Sequence, residues 1–355
     1  MAESTRTSLA PASATEPAGA GTLVAKKRRK RRKRRYSLLT RRDKLILTLM
    51  VGIPLTLCIA FVWGPTLASI VFSFTDWSGI GAIQPRNFIG AKNYATLYCG
   101  WSAAPGCKPT DYGYTFFYPA LIHNLIWLAF FTFVATPLGM LLAVLLDREI
   151  RGTRIYQAIF FIPVVLSLAV VGFLWELQYA PNEGFINNVL LDLHYKGPLI
   201  DWLGDARINL FAVMVAASWR HIGYIMVIYL AGLKSVDPSL REAAKVDGAT
   251  ERQIFFQVVL PVMAPINVVI IVITAIESLR AFDIAYIINR GKNGLELLST
   301  LITNNSISEA SLVGFGSAIA VVLLVISLVP IIAYLSRVNA GDTQPVGVGG
   351  ESTGI

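Results

Sequence analysis

The chain has 355 residues, of which 54% are hydrophobic and 15% charged, whereas a soluble domain carries about 25% charged residues. So much apolar residue, arriving in blocks, excludes a single water-soluble core. The formal charge of +9 is set by one run of ten Lys and Arg residues, Lys26 to Arg35, without which the chain is close to neutral; a basic pI is therefore no argument for specific nucleic-acid binding.

Residues 1–43 are rich in Ala, Ser, Thr, Gly and Pro and then become basic, the composition of a disordered tail. A cleavable signal peptide is not expected, because the charged region is too long and the first apolar block exceeds the usual length. The Lys/Arg run reads as a topology anchor and solvated tail, with attraction to anionic lipid as a further role. Six apolar blocks follow, at about 45–74, 118–146, 155–177, 208–233, 263–288 and 312–335. Each supplies the roughly 20 residues that a helix needs to cross hydrocarbon. Lipid offers no partner to peptide groups, so each is expected to be helical. The expected fold is an all-α polytopic membrane bundle of about six transmembrane helices over residues 44–337, with a disordered tail at 338–355. Kinks are expected at Pro54, Pro65, Pro137, Pro163 and Pro330.

Lys and Arg in the short loops set the orientation. They crowd the N-terminal segment, the 147–154 connection (Arg148, Arg151, Arg154) and the 234–262 connection (Lys234, Arg241, Lys245, Arg252). Both termini are therefore placed in the cytoplasm. The loop carrying Cys99 and Cys107 then lies outside, where disulfides persist; a bridge between them and two free thiols both remain open. No Cys/His spacing suggests a metal site, and His123, His194 and His221 are scattered.

The 234–262 connection carries the most information. Asp237 is a good N-cap and Pro238 suits the first helical position. Gly248 is placed to end that helix in the left-handed region. Thr250 with Gln253 forms a capping box that opens a second helix, and Pro261 closes it. Ala243, Ala244, Val246, Ile254, Phe255 and Phe256 are too apolar for a mere connector, so some must pack on the bundle or on a partner. The spacing Glu242-Ala243-Ala244, Gly248, Val258, Leu260-Pro261 resembles the signature loop of ABC importer permeases, with Val258 for the usual Ile as the one departure. The resemblance implies that Glu242, Ala243, Ala244, Asp247, Gly248, Arg252, Leu260 and Pro261 form a coupling helix that docks on a separate ATPase. No Walker A sequence is present. The chain is thus expected to hold no cofactor and to hydrolyse nothing itself, with ATP and Mg bound by the partner ATPase subunits.

Trp77, the stretch Asn87 to Tyr94, Ile159 to Pro163, and the run Glu277 to Ile288 leading into Gly291 and Gly294 are similar to the sugar branch of that family, of the maltose/glycerol-phosphate type. That branch implies a second related permease, two ATPase copies, an extracytoplasmic solute-binding protein, a sugar-like substrate, and a prokaryotic plasma (inner) membrane with multiple passes. Ionisable residues inside spans are functional candidates. Asn124, Trp219, Arg220, Glu277 and Asp283 are the candidates for the substrate path, sugars being held by aromatic faces and polar groups. Glu277, Arg280 and Asp283 are spaced to share one helical face, and Arg220 is expected near the depth of Glu277. A buried ion-pair network that only holds the bundle together explains the same residues. Two other classes remain: an ion-gradient-driven secondary transporter, which leaves the signature loop unexplained, and a non-transporting membrane scaffold.

Overall fold

A computed structural model of the chain describes residues 40–99, 108, 113–148, 151–308 and 311–341. The basic run, most of both expected tails, and Cys107 lie outside the described residues. Among the described residues no strand forms, and an isolated antiparallel bridge joins Thr75 to Phe88. The chain divides into two compact units at Leu57. The first contributes α1 (Arg41–Cys58), which starts inside the expected tail. Thr40 opens it by accepting from the Asp43 N–H at 3.2 Å while its own N–H donates to the Asp43 carboxylate at 2.9 Å.

The second unit holds α2 (Gly64–Phe72), α3 (Lys92–Tyr98), α4 (Thr115–Asp147), α5 (Thr153–Val165), α6 (Leu168–Gln178), α7 (Phe185–Asp192) and α8 (Asn209–Ser235). It continues with α9 (Pro238–Val246), α10 (Glu251–Val262), α11 (Ala264–Leu279), α12 (Asp283–Asn289), α13 (Leu298–Thr303) and α14 (Val313–Gly341). The last helix extends past Val338, where a tail was expected.

By length and apolar composition Arg42–Phe72, Thr115–Asp147, Asn209–Ser235 and Val313–Ser336 each qualify to cross a membrane; the bent pairs α5–α6 and α10–α11 raise the number to six if each pair is one span. The third block is therefore no single kinked rod. It breaks by 100° between α5 and α6, where Leu166 turns extended and Ser167 caps α6 by accepting from the Val170 N–H. A hydroxyl cap four residues after the helix-disfavouring Pro163 supplies the reason. The fifth block also breaks, at Arg280 to Phe282 between α11 and α12. The prolines divide into two groups. Pro54 and Pro330 sit inside helices that continue past them. Widened, π-type turns at Ile59–Trp63, Gly113–Phe117, Phe131–Ala135 and Ile254–Val259 each end two residues before a proline, Pro65, Pro119, Pro137 and Pro261. A proline donates no N–H and crowds the carbonyl four residues back, so the preceding turn loosens to relieve it.

Helix α8 is the hub: 56% of its most apolar 18-residue window is buried, against 11% for α14. Its first half packs Val213, Met214, Ala216 and Ala217 against Trp127 and Phe131 of α4 and Ile284 and Ala285 of α12. Its second half packs Ile225, Met226, Tyr229 and Leu230 against Ala143 and Leu146 of α4, Ile254 and Val259 of α10 and Ile270 of α11. A third cluster joins Leu97, Phe117, Ala120, Leu298, Leu301, Ala318 and Ile319.

Lipid tails are as apolar as these side chains, so helix contact in a bilayer depends on close backbone approach at small residues. Gly223 is such a point, since a Cβ there would lie 2.1 Å from the Phe160 carbonyl oxygen of α5. Gly223→Val is expected to push α5 off α8 and to cost about 1–3 kcal/mol or more. A detergent melt of the purified protein checks this, and an unchanged unfolding temperature would contradict the packing described.

Candidate functional site

The 237–262 segment folds as the hairpin expected. Asp237 accepts from the Ser239 N–H at 2.9 Å and Pro238 occupies the first turn of α9. That hydrogen bond holds the Asp237 carboxyl below its ordinary range. At the other end the Ala249 N–H bonds the Ala244 carbonyl at 3.0 Å and the Gly248 N–H bonds the Lys245 carbonyl at 3.1 Å, with Gly248 at φ +79°. This is the paired left-handed stop that glycine favours. Thr250 and Gln253 close a reciprocal box, at 2.8 Å from the Thr250 N–H to the Gln253 side chain and 3.4 Å in return.

The apolar residues of the hairpin divide by destination. Ile254 is buried with Val259, and Ala244, Ala249 and Phe255 pack on the same cluster. Ala243, Val246 and Phe256 stay exposed, Val246 at 88%. Lys245 pairs with Glu251 at 3.1 Å, and the Arg252 guanidinium lies 6.0 Å from the Phe256 ring centre. Glu242 is exposed and bonds none of the described residues. The hairpin thus presents a carboxylate, small residues and an uncovered apolar side chain on one short helix.

The sequence reading missed what fastens the hairpin. Arg241 bonds Asp147 at the end of α4 at 2.9 Å and the Leu233 carbonyl at the end of α8 at 3.0 Å. Both charges lie in short connections on the same expected side of the membrane, which is the signal that would have paired them.

The second site is a cleft midway along the bundle, lined by Trp127, Phe131, Arg220, Glu277, Arg280 and Asp283 among others. It holds about 70 Å³, room for about two waters and less than a sugar ring needs. Three of the five path candidates, Arg220, Glu277 and Asp283, meet here. Trp219 does not line it; it is 41% exposed and sets its ring edge-on to Trp175 at 6.1 Å. Arg220 and Glu277 do line the same cleft, but no ion pair joins them. Glu277 is instead held by His221 Nδ1 at 3.1 Å, and His221 Nε2 lies 3.4 Å from Thr274 Oγ1. Nor do Glu277, Arg280 and Asp283 share a helical face, because α11 ends at Leu279 and α12 starts at Asp283.

Both helix breaks open onto this cleft: Leu168 follows one, and Ala281 and Phe282 form the other. Irregular backbone at membrane depth survives only where it is buried in protein or lines a cavity. Asn124 is what makes the second break tenable. It is fully buried, its amide donates to the Ser278 and Leu279 carbonyls at 3.4 and 3.3 Å, and its oxygen accepts from the Leu298 N–H at 2.9 Å. These are groups that helix ends leave unpaired. Among the described residues no group of three or more His, Cys, Asp or Glu side chains converges as a metal site. The Cys99–Cys107 expectation falls partly outside the described residues, since Cys107 is not among them.

Residues 135–338 match the family model described as the binding-protein-dependent transport system inner membrane component. The xylose/arabinose import permease protein XacH of Haloferax volcanii is 32% identical over 80% of this chain and 85% of that protein. The arabinooligosaccharides transport system permease protein AraP of Bacillus subtilis is 30% identical over 68% of this chain and 74% of its own length. A bacterial alginate ABC transporter, crystallised in complex with an alginate pentasaccharide-bound periplasmic protein, shares the fold at a TM-score of 0.69 and 21% identity, over 86% of this chain and 97% of that one. The chain belongs to the inner-membrane permease family of binding-protein-dependent ABC importers.

Asn124→Leu is expected to destabilise the protein by about 1–3 kcal/mol, the cost of leaving buried carbonyls and an N–H unpaired, while the solutes it responds to stay the same. Thermal unfolding and substrate-stimulated ATPase measured side by side check this. A changed solute preference with unchanged stability would instead place Asn124 in the substrate path.

Proposed function

We propose that this chain is one half of the translocation path of an ATP-driven importer for a sugar or related polyol, paired with a second related permease and driven by two separate ATPase subunits. A solute-binding protein outside the membrane delivers the substrate, and both termini face the cytoplasm. The observation that carries this reading is the hairpin: a capped helix that leaves Glu242, Ala243 and Val246 exposed and unpartnered while Arg241 ties it to the ends of α4 and α8.

In this reading Glu242 makes a charge-assisted contact with the ATPase, and Ala243 and Ala244 allow close approach. Asp247 and Gly248 set the turn. Arg252 lies over Phe256, and Leu260 with Pro261 leads into the 74° bend before α11. Closure of the ATPase pair pushes the hairpin, and the Arg241–Asp147 clamp carries the displacement into the two most closely packed helices. ATP-driven closure opens the path outward, and hydrolysis resets it.

The relatives XacH and AraP are named for pentoses and their oligomers, which favours a sugar for this chain. Arg220, Glu277 and Asp283 supply polar groups from the cleft, and Trp219, exposed beside it, supplies an aromatic face. A cleft of about 70 Å³ is half a site, and the second permease supplies the rest. ATP and Mg belong to the ATPase subunits.

Charge reversal Glu242→Lys should abolish uptake and the co-purification of a P-loop ATPase from native membrane, with the permease still folded. Retained uptake and retained ATPase would defeat the coupling role. For the path, Trp219→Ala and Asp283→Ala should each reduce substrate-stimulated ATPase and uptake by about tenfold, the loss of roughly 1.4 kcal/mol of contact. If both variants behave as wild type, these residues do not line it.

A further inference from the structure

The ionisable side chains of the cleft midway along the bundle are enclosed to different degrees. Arg220, Glu277, Arg280 and Asp283 are partly or fully exposed, whereas the His221 side chain is only 2% exposed. Its ring packs against Phe131 at 4.8 Å between centres. Nδ1 lies 3.1 Å from Glu277 Oε2, and Nε2 lies 3.4 Å from Thr274 Oγ1. An ionised carboxylate only accepts, so Nδ1 carries the proton of the first bond, while the Thr274 hydroxyl suits Nε2 as donor or acceptor. Thr274 Oγ1 is itself 3.3 Å from Thr136 Oγ1 on α4. The imidazole is therefore fixed from both nitrogens.

The two oxygens of Glu277 differ. Oε2 is held by His221, the side chain is 40% exposed, and Oε1 bonds no described residue. Arg220 and Arg280 line the same cleft, yet neither forms an ion pair with any described residue. An untethered glutamate turns about three side-chain bonds and would be drawn to either guanidinium; the bond to His221 removes that freedom. We propose that His221 is a positioning residue of the solute path, holding Glu277 through Oε2 so that Oε1 stays open to accept from a hydroxyl of an uncharged polyhydroxylated solute. The inference rests on the importer reading proposed for the chain. The solute is uncharged because the cleft sets two guanidinium groups against two carboxylates, Glu277 and Asp283, and offers an ion no excess of either sign. A hydroxyl both gives a proton to a carboxylate and accepts one from a guanidinium.

The test uses the importer purified with its native partner subunits and binding protein, in nanodiscs. ATP hydrolysis is followed with D-xylose, L-arabinose, D-glucose, maltose and glycerol, and with D-galacturonate as the charged probe. An asparagine amide places its N–H where His Nδ1–H stands, and a glutamine amide places it near Nε2. His221→Asn should therefore keep most of the solute-stimulated rate. His221→Gln and Glu277→Gln should each lower it about tenfold, the loss of one charge-assisted contact. The half-saturating solute concentration should not move, because capture by the binding protein precedes the path. Adding His221→Gln to Glu277→Gln should lower the rate little further, since two changes to one interaction do not add. A histidine that only braces α8 to α11 through Thr274 predicts equal losses, or a worse Asn than Gln variant. Either result, or full additivity in the double variant, overturns the positioning role and leaves the importer reading standing. Stimulation by D-galacturonate in place of the uncharged solutes overturns the solute class. If no solute stimulates the wild type, the sugar reading falls and the inference with it. Should His221→Gln fail to assemble, nuclear magnetic resonance of nitrogen-labelled histidine in the wild type decides: His221, identified by the signal lost in His221→Asn, must carry a proton on Nδ1, and a bare Nδ1 overturns the proposal.

Discussion

A side-chain amide has two N–H donors, and in this chain buried asparagines repeatedly close them on two backbone carbonyls. Asn93 bonds the Ser73 and Thr75 carbonyls, Asn124 those of Ser278 and Leu279, Asn187 those of Pro181 and Ile200, and Asn209 those of Lys292 and Asn293. Every one of those carbonyls sits at a helix end or in irregular backbone. In hydrocarbon an unpaired peptide group costs several kcal/mol, so a helix stops inside a membrane only where its end finds a partner. Of these amides Asn124 serves the α11–α12 break that borders the cleft, while the α5–α6 break is capped by the Ser167 hydroxyl.

Around the breaks, contact is continuous from one end of the bundle to the other. The hairpin is clamped by Arg241 to Asp147 and Leu233, Ile254 and Val259 bury themselves against α4 and α8, and the same α8 carries Arg220 and His221 into the cleft. His221 is the joint between α8 and α11, holding Glu277 by one nitrogen and facing Thr274 with the other, while Thr274 in turn meets Thr136 of α4 at 3.3 Å. A push at the hairpin therefore meets packed side chains and hydrogen bonds all the way to the polar cleft, with little slack to absorb it.

The two sites differ in how much of them the sequence made legible. The hairpin was legible residue by residue, because Asp237, Gly248 and the Thr250–Gln253 box act on backbone groups within a few positions of themselves. The cleft was legible only as a set of polar residues in apolar surroundings. Its breaks were not foreseen at Leu166, where Pro163 was read only as a kink, or at Arg280 to Phe282, where the supporting donor is distant in the chain. Asn124 and the Ser278 carbonyl are separated by 154 positions, and nothing local to either announces the other. The same holds for His221 replacing Arg220 as the partner of Glu277: both lie on one helix, and only the rotation of α8 against α11 chooses between them.

Composition and the spacing of apolar blocks by themselves determined a helical membrane protein, because lipid leaves the backbone no alternative. The local chemistry of residues 237–262 determined the hairpin and, through its spacing, the resemblance to importer permeases. Tertiary structure alone decided which polar residues face the cleft and which hold it open, where the third and fifth blocks break, and that Arg241 fastens the hairpin to α4 and α8. Those outcomes are contacts between segments far apart in the chain, fixed by how closely helices approach at positions such as Gly223 and by which donors their ends then find.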